Sequence, residues 1–195
     1  MREQIKTLTH NTSIPNLALM VCGLMAAALT LTAEDYATKN SQMHASHHNA
    51  APAKLVEIVR NATRQFTDVN AARAAGYEPF LGCVSGPDYG AMGVHYVNGT
   101  LVADGEIDAT RPEALIYEPK GDQMQLVGVE FIVDAAAWRA RHDSPPVLEG
   151  QTFHFVNSPN QFGLPAFFEL HVWAWRDNPK GAFVDWNKRV TCEGR

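Results

Sequence analysis

The chain has 195 residues, of which 46% are hydrophobic and 19% are charged. This length allows one domain with a tail, and the apolar share excludes a disordered chain. The formal net charge of -5 leaves no basic surplus to neutralise a phosphate backbone, so we expect no nucleic-acid partner.

Residues 1–33 have the pattern of an export signal. Arg2 and Lys6 precede an apolar stretch, residues 14–33, in which no residue is charged. A basic start, an apolar stretch and small residues after it are typical of a secretory signal, and we expect cleavage after Ala33. The alternative is an uncleaved segment that anchors the protein in a membrane, which would be its one membrane contact. The sequence therefore predicts an exported protein that is periplasmic or secreted.

Residues 34–53 are predicted to form a flexible tether before a single folded domain, residues 54–195. The tether is small and polar, without an apolar period. Its three histidines, His44, His47 and His48, can collect Cu or Zn loosely, although most such runs are only solvated.

Three cysteines become two if the signal is removed, because Cys22 lies within it. Cys22 also offers a lipoprotein anchor, but the bulky Val21 before it argues against that alternative. An oxidising compartment favours a disulfide between Cys83 and Cys192, which would tie the C-terminal tail to the start of the domain. The competing interpretation is a metal or redox site, and no CxxC spacing supports it.

The folded part is predicted to begin with helices. Leu55, Ile58 and Val59 recur at helical spacing after Pro52, and a second helix is expected over residues 69–75. The stretch from residue 82 to residue 93 contains four glycines and one proline, which predicts a loop.

Short strands separated by turns are expected in the rest of the chain. Asn98-Gly99 and residues 120–122 are turn signals, and Asp134 is suited to cap a short helix. The predicted strands cover residues 94–98, 113–118, 124–133, 151–156 and 166–175. The expected fold class is α+β, mainly β, with N-terminal helices followed by a small antiparallel β-barrel or sandwich.

Alternation along the last strand separates two faces. Residues two apart share a face of a strand, so Ala166, Phe168, Leu170, Val172 and Ala174 form an apolar core face. The other face combines an acid and an imidazole with aromatic side chains and resembles a cavity wall; its members are Phe167, Glu169, His171, Trp173 and Trp175.

Several strands each carry one ionisable residue among apolar neighbours. Burying a lone carboxylate is costly, so Glu130, which lies between Val129 and Phe131, needs a partner or a metal. Together with His95 and His171 it makes a set of two histidines and one carboxylate. That set suits a divalent transition metal (Zn, Cu, Fe or Mn) with an open position. Glu118 is the candidate fourth ligand, or a group that orients a histidine ring.

The remaining candidates line the pocket or support the ligands. Glu169 and His154 are reserve ligands, and Tyr96 and Trp173 are expected in the core or in the wall of a cavity for a small organic ligand. Neither HExxH nor GxSxG occurs, so catalytic residues stay unknown. The alternative is a non-enzymatic envelope or ligand-binding module without metal, in which the same side chains are hydrogen-bonded core residues.

Four segments resemble a family of uncharacterised exported bacterial proteins: residues 80–87, 90–98, 112–119 and 170–192. The matching motifs include GAMGVHYVN, PEALIYEP and LHVWAWRDNP. The resemblance implies an exported single domain and carries no activity onto these residues. The step from Gly90 to His95 is at most distantly similar to a cupin.

Overall fold

The structure is a computed structural model and describes residues 54–194. The predicted export signal, the tether and its histidines lie outside the described residues. No helix within residues 54–194 is long and apolar enough to cross a membrane.

A six-stranded antiparallel sheet, curved like half of a barrel, organises the domain. Its strands lie in the order β1-β2-β3-β4-β8-β7, and a separate two-stranded sheet is made by β5 and β6. The bounds are β1 Glu78–Gly86, β2 Gly90–Val97, β3 Ala114–Lys120, β4 Gln123–Asp134, β5 Val147–Leu148, β6 Gln151–Thr152, β7 His154–Val156 and β8 Phe167–Val172. The expected class, α+β and mainly β, is confirmed.

The helices are short and begin where the sequence supplies caps. Helix α1 covers residues 54–62, and a 3-10 helix, Arg64–Thr67, leads to α2, Val69–Ala74. Asp68 caps α2 by accepting the backbone N–H of Asn70 at 2.9 Å. The others are α3, Gly99–Asp104, and α4, Ala135–Arg139, where Asp134 accepts the N–H of Ala137 at 2.7 Å.

One face of the sheet carries the main apolar core. Leu55 and Val59 of α1 are fully buried against it, which confirms the helical spacing noted in the sequence. The face includes Phe168, Leu170 and Val172 of β8, as alternation predicted. The burial of these apolar side chains away from water is the main contribution to the stability of the fold.

The opposite face of the sheet is covered by the segment that follows β8. Trp173 and Val190 of this segment pack with Ala91, Ile116 and Val127 in a second, smaller core. Asn187, which is fully buried, fixes the segment in place. Its backbone N–H donates to the carbonyl of Ala91 at 3.1 Å, and its side-chain amide donates to the carbonyl of Asp177 at 3.3 Å.

The disulfide between Cys83 and Cys192 is confirmed, with the two Cα atoms 5.7 Å apart. It joins β1, at one edge of the sheet, to the C-terminal segment. The segment therefore has a covalent attachment at its far end in addition to its packing.

The predicted loop over residues 82–93 is wrong, because this stretch forms a hairpin of β1 and β2. Two of its glycines, Gly90 and Gly93, are required by close packing against backbone atoms. Gly93 has φ of +93°, and a Cβ there would lie 2.6 Å from the carbonyl oxygen of Tyr117. The register of the hairpin also shifts between Phe80 and Val84, which obscures alternation in the sequence.

Two smaller predictions also need correction. Asn98-Gly99 is not a hairpin turn: Asn98 caps α3 by accepting the N–H of Thr100 at 3.1 Å. The strand predicted over residues 151–156 is divided between β6 and β7, which belong to different sheets.

Removing the disulfide by a Cys83→Ser and Cys192→Ser double substitution should lower the free energy of unfolding by about 2–5 kcal/mol. The bridge spans 109 residues, and closing a loop of that length removes substantial entropy from the unfolded chain. Urea unfolding of the oxidised protein and of the double variant measures the difference. Dithiothreitol should lower the midpoint of the wild type and leave that of the variant unchanged. Equal midpoints for both proteins would contradict the prediction.

Candidate metal centre

The three predicted principal ligands come from three strands and meet on the face of the sheet that lies opposite the main core. Glu130 of β4 is directly across from His171 of β8, and across from Ala114 of β3 on its other side. Opposed residues of an antiparallel pair share a face. His95 belongs to β2, on the far side of β3, where it pairs with Ile116.

The ligand atoms of these three residues are close together. His95 Nε2 lies 3.3 Å from Glu130 Oε2 and 3.5 Å from His171 Nε2, and one ligand atom from each residue lies within 4.8 Å of the others. Both measured distances exceed the usual 2.9–3.0 Å of an N–H···O hydrogen bond. The spacing is thus wider than direct hydrogen bonding favours.

All three side chains are buried, and burial shifts their protonation toward neutral forms. His171 is 1% exposed and Glu130 is 5% exposed. Burial lowers the pKa of His95 to about 4 and holds that of His171 well below its usual range. Burial, and then the charge of Glu169, raise the pKa of Glu130 well above its usual range. Burial therefore favours the uncharged form of each of the three groups when no cation is bound.

Glu169 is a near neighbour of the cluster. It lies on β8 two residues before His171 and is 4% exposed, and its charge contributes to the raised pKa of the Glu130 carboxyl. Within residues 54–194, no Lys or Arg side chain forms an ion pair with either acid. The two acids are thus brought together without a fixed positive charge from the protein.

Asp185, from the C-terminal segment, lies beside the cluster, and no pattern in the sequence indicated it. Its Oδ1 lies 3.7 Å from His171 Nδ1 and 3.2 Å from His154 Nδ1. His171 Nδ1 is buried and has no hydrogen-bond partner among residues 54–194. With Glu169 and His171, Asp185 forms a second group of potential ligands within 4.8 Å. Asp185 lies in a turn-rich stretch, where no periodicity indicates which way a side chain faces.

The cluster forms the floor of a cavity of about 50 Å³. That volume exceeds the roughly 10–15 Å³ that one water molecule needs. Four of the lining residues are ionisable, namely His95, Glu130, Glu169 and His171, and the other nine are apolar. Of the cavity wall predicted on the last strand, Phe167, Glu169 and His171 line the cavity, whereas Trp173 and Trp175 do not.

Glu118, the predicted fourth ligand, does not lie with the other predicted ligands. Its carboxylate accepts from Arg176 Nη2 at 2.5 Å and from the backbone N–H of Thr191 at 3.1 Å. This buried ion pair fastens the C-terminal segment to β3. A carboxylate already held by two donors in this way is a structural anchor rather than a fourth ligand.

The other supporting residues divide between the two faces. Trp173 stacks near the His171 ring, with ring centroids 6.2 Å apart, and so lies beside the cluster. Tyr96 points into the main core, where its ring meets that of Tyr117 at 4.9 Å, and it does not line the cavity. Trp175 also leaves the site face, because its Nε1 donates to the hydroxyl of Thr63. His154 is half exposed; it lies opposite Glu169 in the pairing of β7 with β8, and its Nδ1 contacts Asp185.

Comparison with family models, with curated proteins and with solved structures gives no significant match. The function must therefore be argued from the geometry of the site.

Glu113 is a buried acid beside this region that sequence reasoning missed. It is 1% exposed, and its carboxylate accepts the backbone N–H of Ile132 at 2.9 Å. Burial raises its pKa from 4.5 to about 8. The folded protein therefore holds a proton on Glu113 over a pH range in which the unfolded chain has released it.

The Glu113→Gln variant should lose less stability than the wild type as the pH becomes alkaline. A raised carboxyl pKa contributes stability that is complete below pH 4.5 and is lost as the pH rises through about 8. Glutamine keeps an acceptor for Ile132 and does not ionise. The variant should match the wild type near pH 4.5 and exceed its free energy of unfolding by about 1–4 kcal/mol at pH 9.

Urea unfolding at pH 4.5, 7 and 9 measures this effect. The matched control is Glu57→Gln, since Glu57 is exposed on α1. That control should follow the wild type at every pH. A constant difference between Glu113→Gln and the wild type across the range would contradict the prediction.

Proposed function

We propose that this protein binds one divalent transition metal ion through His95 Nε2, His171 Nε2 and the carboxylate of Glu130. The spacing of the ligand atoms carries the proposal. A tetrahedral zinc ion with bonds of about 2.0–2.1 Å holds its ligand atoms roughly 3.3–3.4 Å apart. The His95–Glu130 and His95–His171 distances, 3.3 and 3.5 Å, agree with that edge length.

The chemistry of the donors supports the same class of metal. Two imidazole nitrogens and one carboxylate oxygen suit Zn, Fe(II), Cu or Mn, and the tetrahedral spacing makes zinc the first ion to test. A bound cation would also supply the positive charge that the described side chains around Glu130 and Glu169 lack. Binding then requires Glu130 to release its proton, which couples metal affinity to pH.

The position of the cavity defines what the ion can do. Three protein ligands leave at least one coordination position of a tetrahedral ion free, and the cavity lies above the floor that the ligands form. An ion there can hold water or a small ligand, and it can act as a Lewis acid on it. The proposed function is therefore the binding of a metal ion that keeps one accessible coordination position.

Asp185 supports the ligand His171 in this proposal. A carboxylate near the second ring nitrogen of a metal-binding histidine fixes the tautomer and the orientation of the ring. The 3.7 Å approach of Asp185 Oδ1 to His171 Nδ1 is consistent with that role. The C-terminal segment would then contribute to the site without supplying a ligand.

We also infer that the protein is exported. The signal pattern of residues 1–33 and the resemblance to exported bacterial proteins support this inference, and the Cys83–Cys192 disulfide is typical of an oxidising compartment.

The protein should bind one equivalent of zinc, and His171→Ala or Glu130→Ala should each abolish stoichiometric binding. Each substitution removes one of the three ligands, and the two that remain hold the ion too weakly for stoichiometric binding. Equilibrium dialysis followed by elemental analysis measures the bound metal. The full chain should be prepared without a histidine tag and with His44, His47 and His48 replaced by alanine, because those residues can bind metal independently.

His142→Ala and Glu118→Gln are the matched controls for these ligand variants. His142 stacks on Trp138 away from the cavity, and Glu118 is paired with Arg176. Both variants should retain one equivalent of zinc. Circular dichroism confirms that each variant is folded. A folded wild type that binds no zinc, copper, manganese or Fe(II) would overturn the proposal and favour a metal-free binding module.

Asp185→Asn should weaken zinc binding by about 10–100-fold without abolishing it. Loss of an orienting carboxylate typically has an effect of that size, because the ligand ring is no longer held in position. Competition with a chromogenic chelator gives the affinity. Asp177→Asn is the control, since Asp177 lies in the same segment and pairs with the exposed Arg189. An unchanged affinity for Asp185→Asn would remove Asp185 from the site.

A further inference from the structure

We infer that the ligand of this centre is a small, largely apolar molecule that carries one polar head group with an oxygen donor. The inference rests on the proposed metal site and names the class of molecule that its open position takes. The composition of the cavity, its rim and the open coordination position each contribute to it.

Polar groups occur only at the floor of the cavity. All four polar lining residues belong to the ligand cluster and its neighbour Glu169, while the walls include Val84, Met92 and Ile132. A ligand with hydroxyl or amide groups along its length would bury them against these walls without partners, which is costly. Sugars, nucleotides and peptides are therefore poor candidates. A molecule with a single polar end matches the arrangement.

The mouth of the cavity presents apolar side chains to solvent. Phe80 and Leu81 of β1 line the cavity and are 38% and 51% exposed. Leu81 has φ of +59°, a conformation that costs a leucine more than it costs glycine or asparagine. It lies within the shifted register between Phe80 and Val84. An apolar side chain that is held at the rim in an unfavourable backbone conformation points to contact with a ligand rather than to a role in folding.

The loop before β8 also contributes apolar side chains to the cavity. Asn160 organises this loop through its side chain, which accepts the N–H groups of Phe162 and Leu164 and donates to the carbonyl of Leu164. Phe162 and Leu164 line the cavity, and Phe162 also contacts the ring of Phe167. Apolar residues from two separate parts of the chain thus line the same cavity.

The open coordination position selects the head group. Three protein ligands leave at least one position of a divalent cation free, and Glu169, which also lines the cavity, adds a second carboxyl beside Glu130. A head group with an oxygen donor fills the free position, while apolar atoms meet the rest of the lining. Carboxylates and hydroxamates have this chemistry. The cavity of about 50 Å³ accepts the head group and the first carbons, and the remainder lies against the rim.

A series of linear hydroxamates, from acetohydroxamate to octanohydroxamate, tests the inference on the zinc-loaded full chain. Affinity should rise by about three- to fourfold per added methylene while the chain remains in contact with the walls and rim. Calorimetry measures each affinity. Leu81→Asn should weaken the rise of affinity with chain length among the longer hydroxamates, because asparagine offers no apolar surface at the rim. Asparagine tolerates a positive φ, so the substitution keeps the backbone conformation. It should leave zinc content and acetohydroxamate affinity unchanged.

Val147→Asn is the matched control, since Val147 is 59% exposed and lies outside the cavity. It should keep the full chain-length dependence. A zinc-loaded wild type that binds all members equally would overturn this inference and leave the metal site intact. An unchanged slope in Leu81→Asn would also overturn it. Failure of the wild type to bind metal at all would overturn both proposals, and the zinc content reports that separately.

Discussion

Two acids and two histidines are buried in this small domain because both faces of a single sheet are covered. Helices at the start of the domain cover one face and form the main core. The segment after β8 covers part of the other, held by the Cys83–Cys192 disulfide, by Asn187 and by the pair of Glu118 with Arg176. If that segment were absent, water would reach the ionisable cluster and the pKa shifts caused by burial would disappear.

Burial without a compensating cation is the unusual property of this cluster. Folded proteins pair or hydrogen-bond buried charges because the desolvation of an isolated ion is too costly. Here Glu130 and Glu169 are buried beside each other, and burial favours the neutral form of both neighbouring histidines. A bound divalent ion would supply the positive charge that the described side chains around Glu130 and Glu169 do not provide. The apolar walls then favour a ligand whose one polar end reaches that ion.

The sequence predicted much of the fold and the centre of the site. Alternation in the last strand separated Phe168, Leu170 and Val172, which face the core, from Glu169 and His171, which face the cavity. Strand pairs with short turns were also recognisable. The hairpin of β1 and β2 was missed because its glycines imitate a loop and its register shift breaks alternation. Position 93 must be glycine because the carbonyl of Tyr117 packs against it. Tyr117 is distant in the chain, so the residues next to Gly93 do not indicate this contact.

The sequence by itself determined that His95, Glu130 and His171 lie among apolar residues on separate strands, since local periodicity sets which face a side chain occupies. Tertiary structure decided which of the candidates meet. Glu118 shares their polar character, but Arg176 holds it elsewhere, whereas Asp185 arrives from an irregular segment. Strand order and the path of that segment depend on contacts between residues far apart in the chain, and no local pattern encodes those contacts.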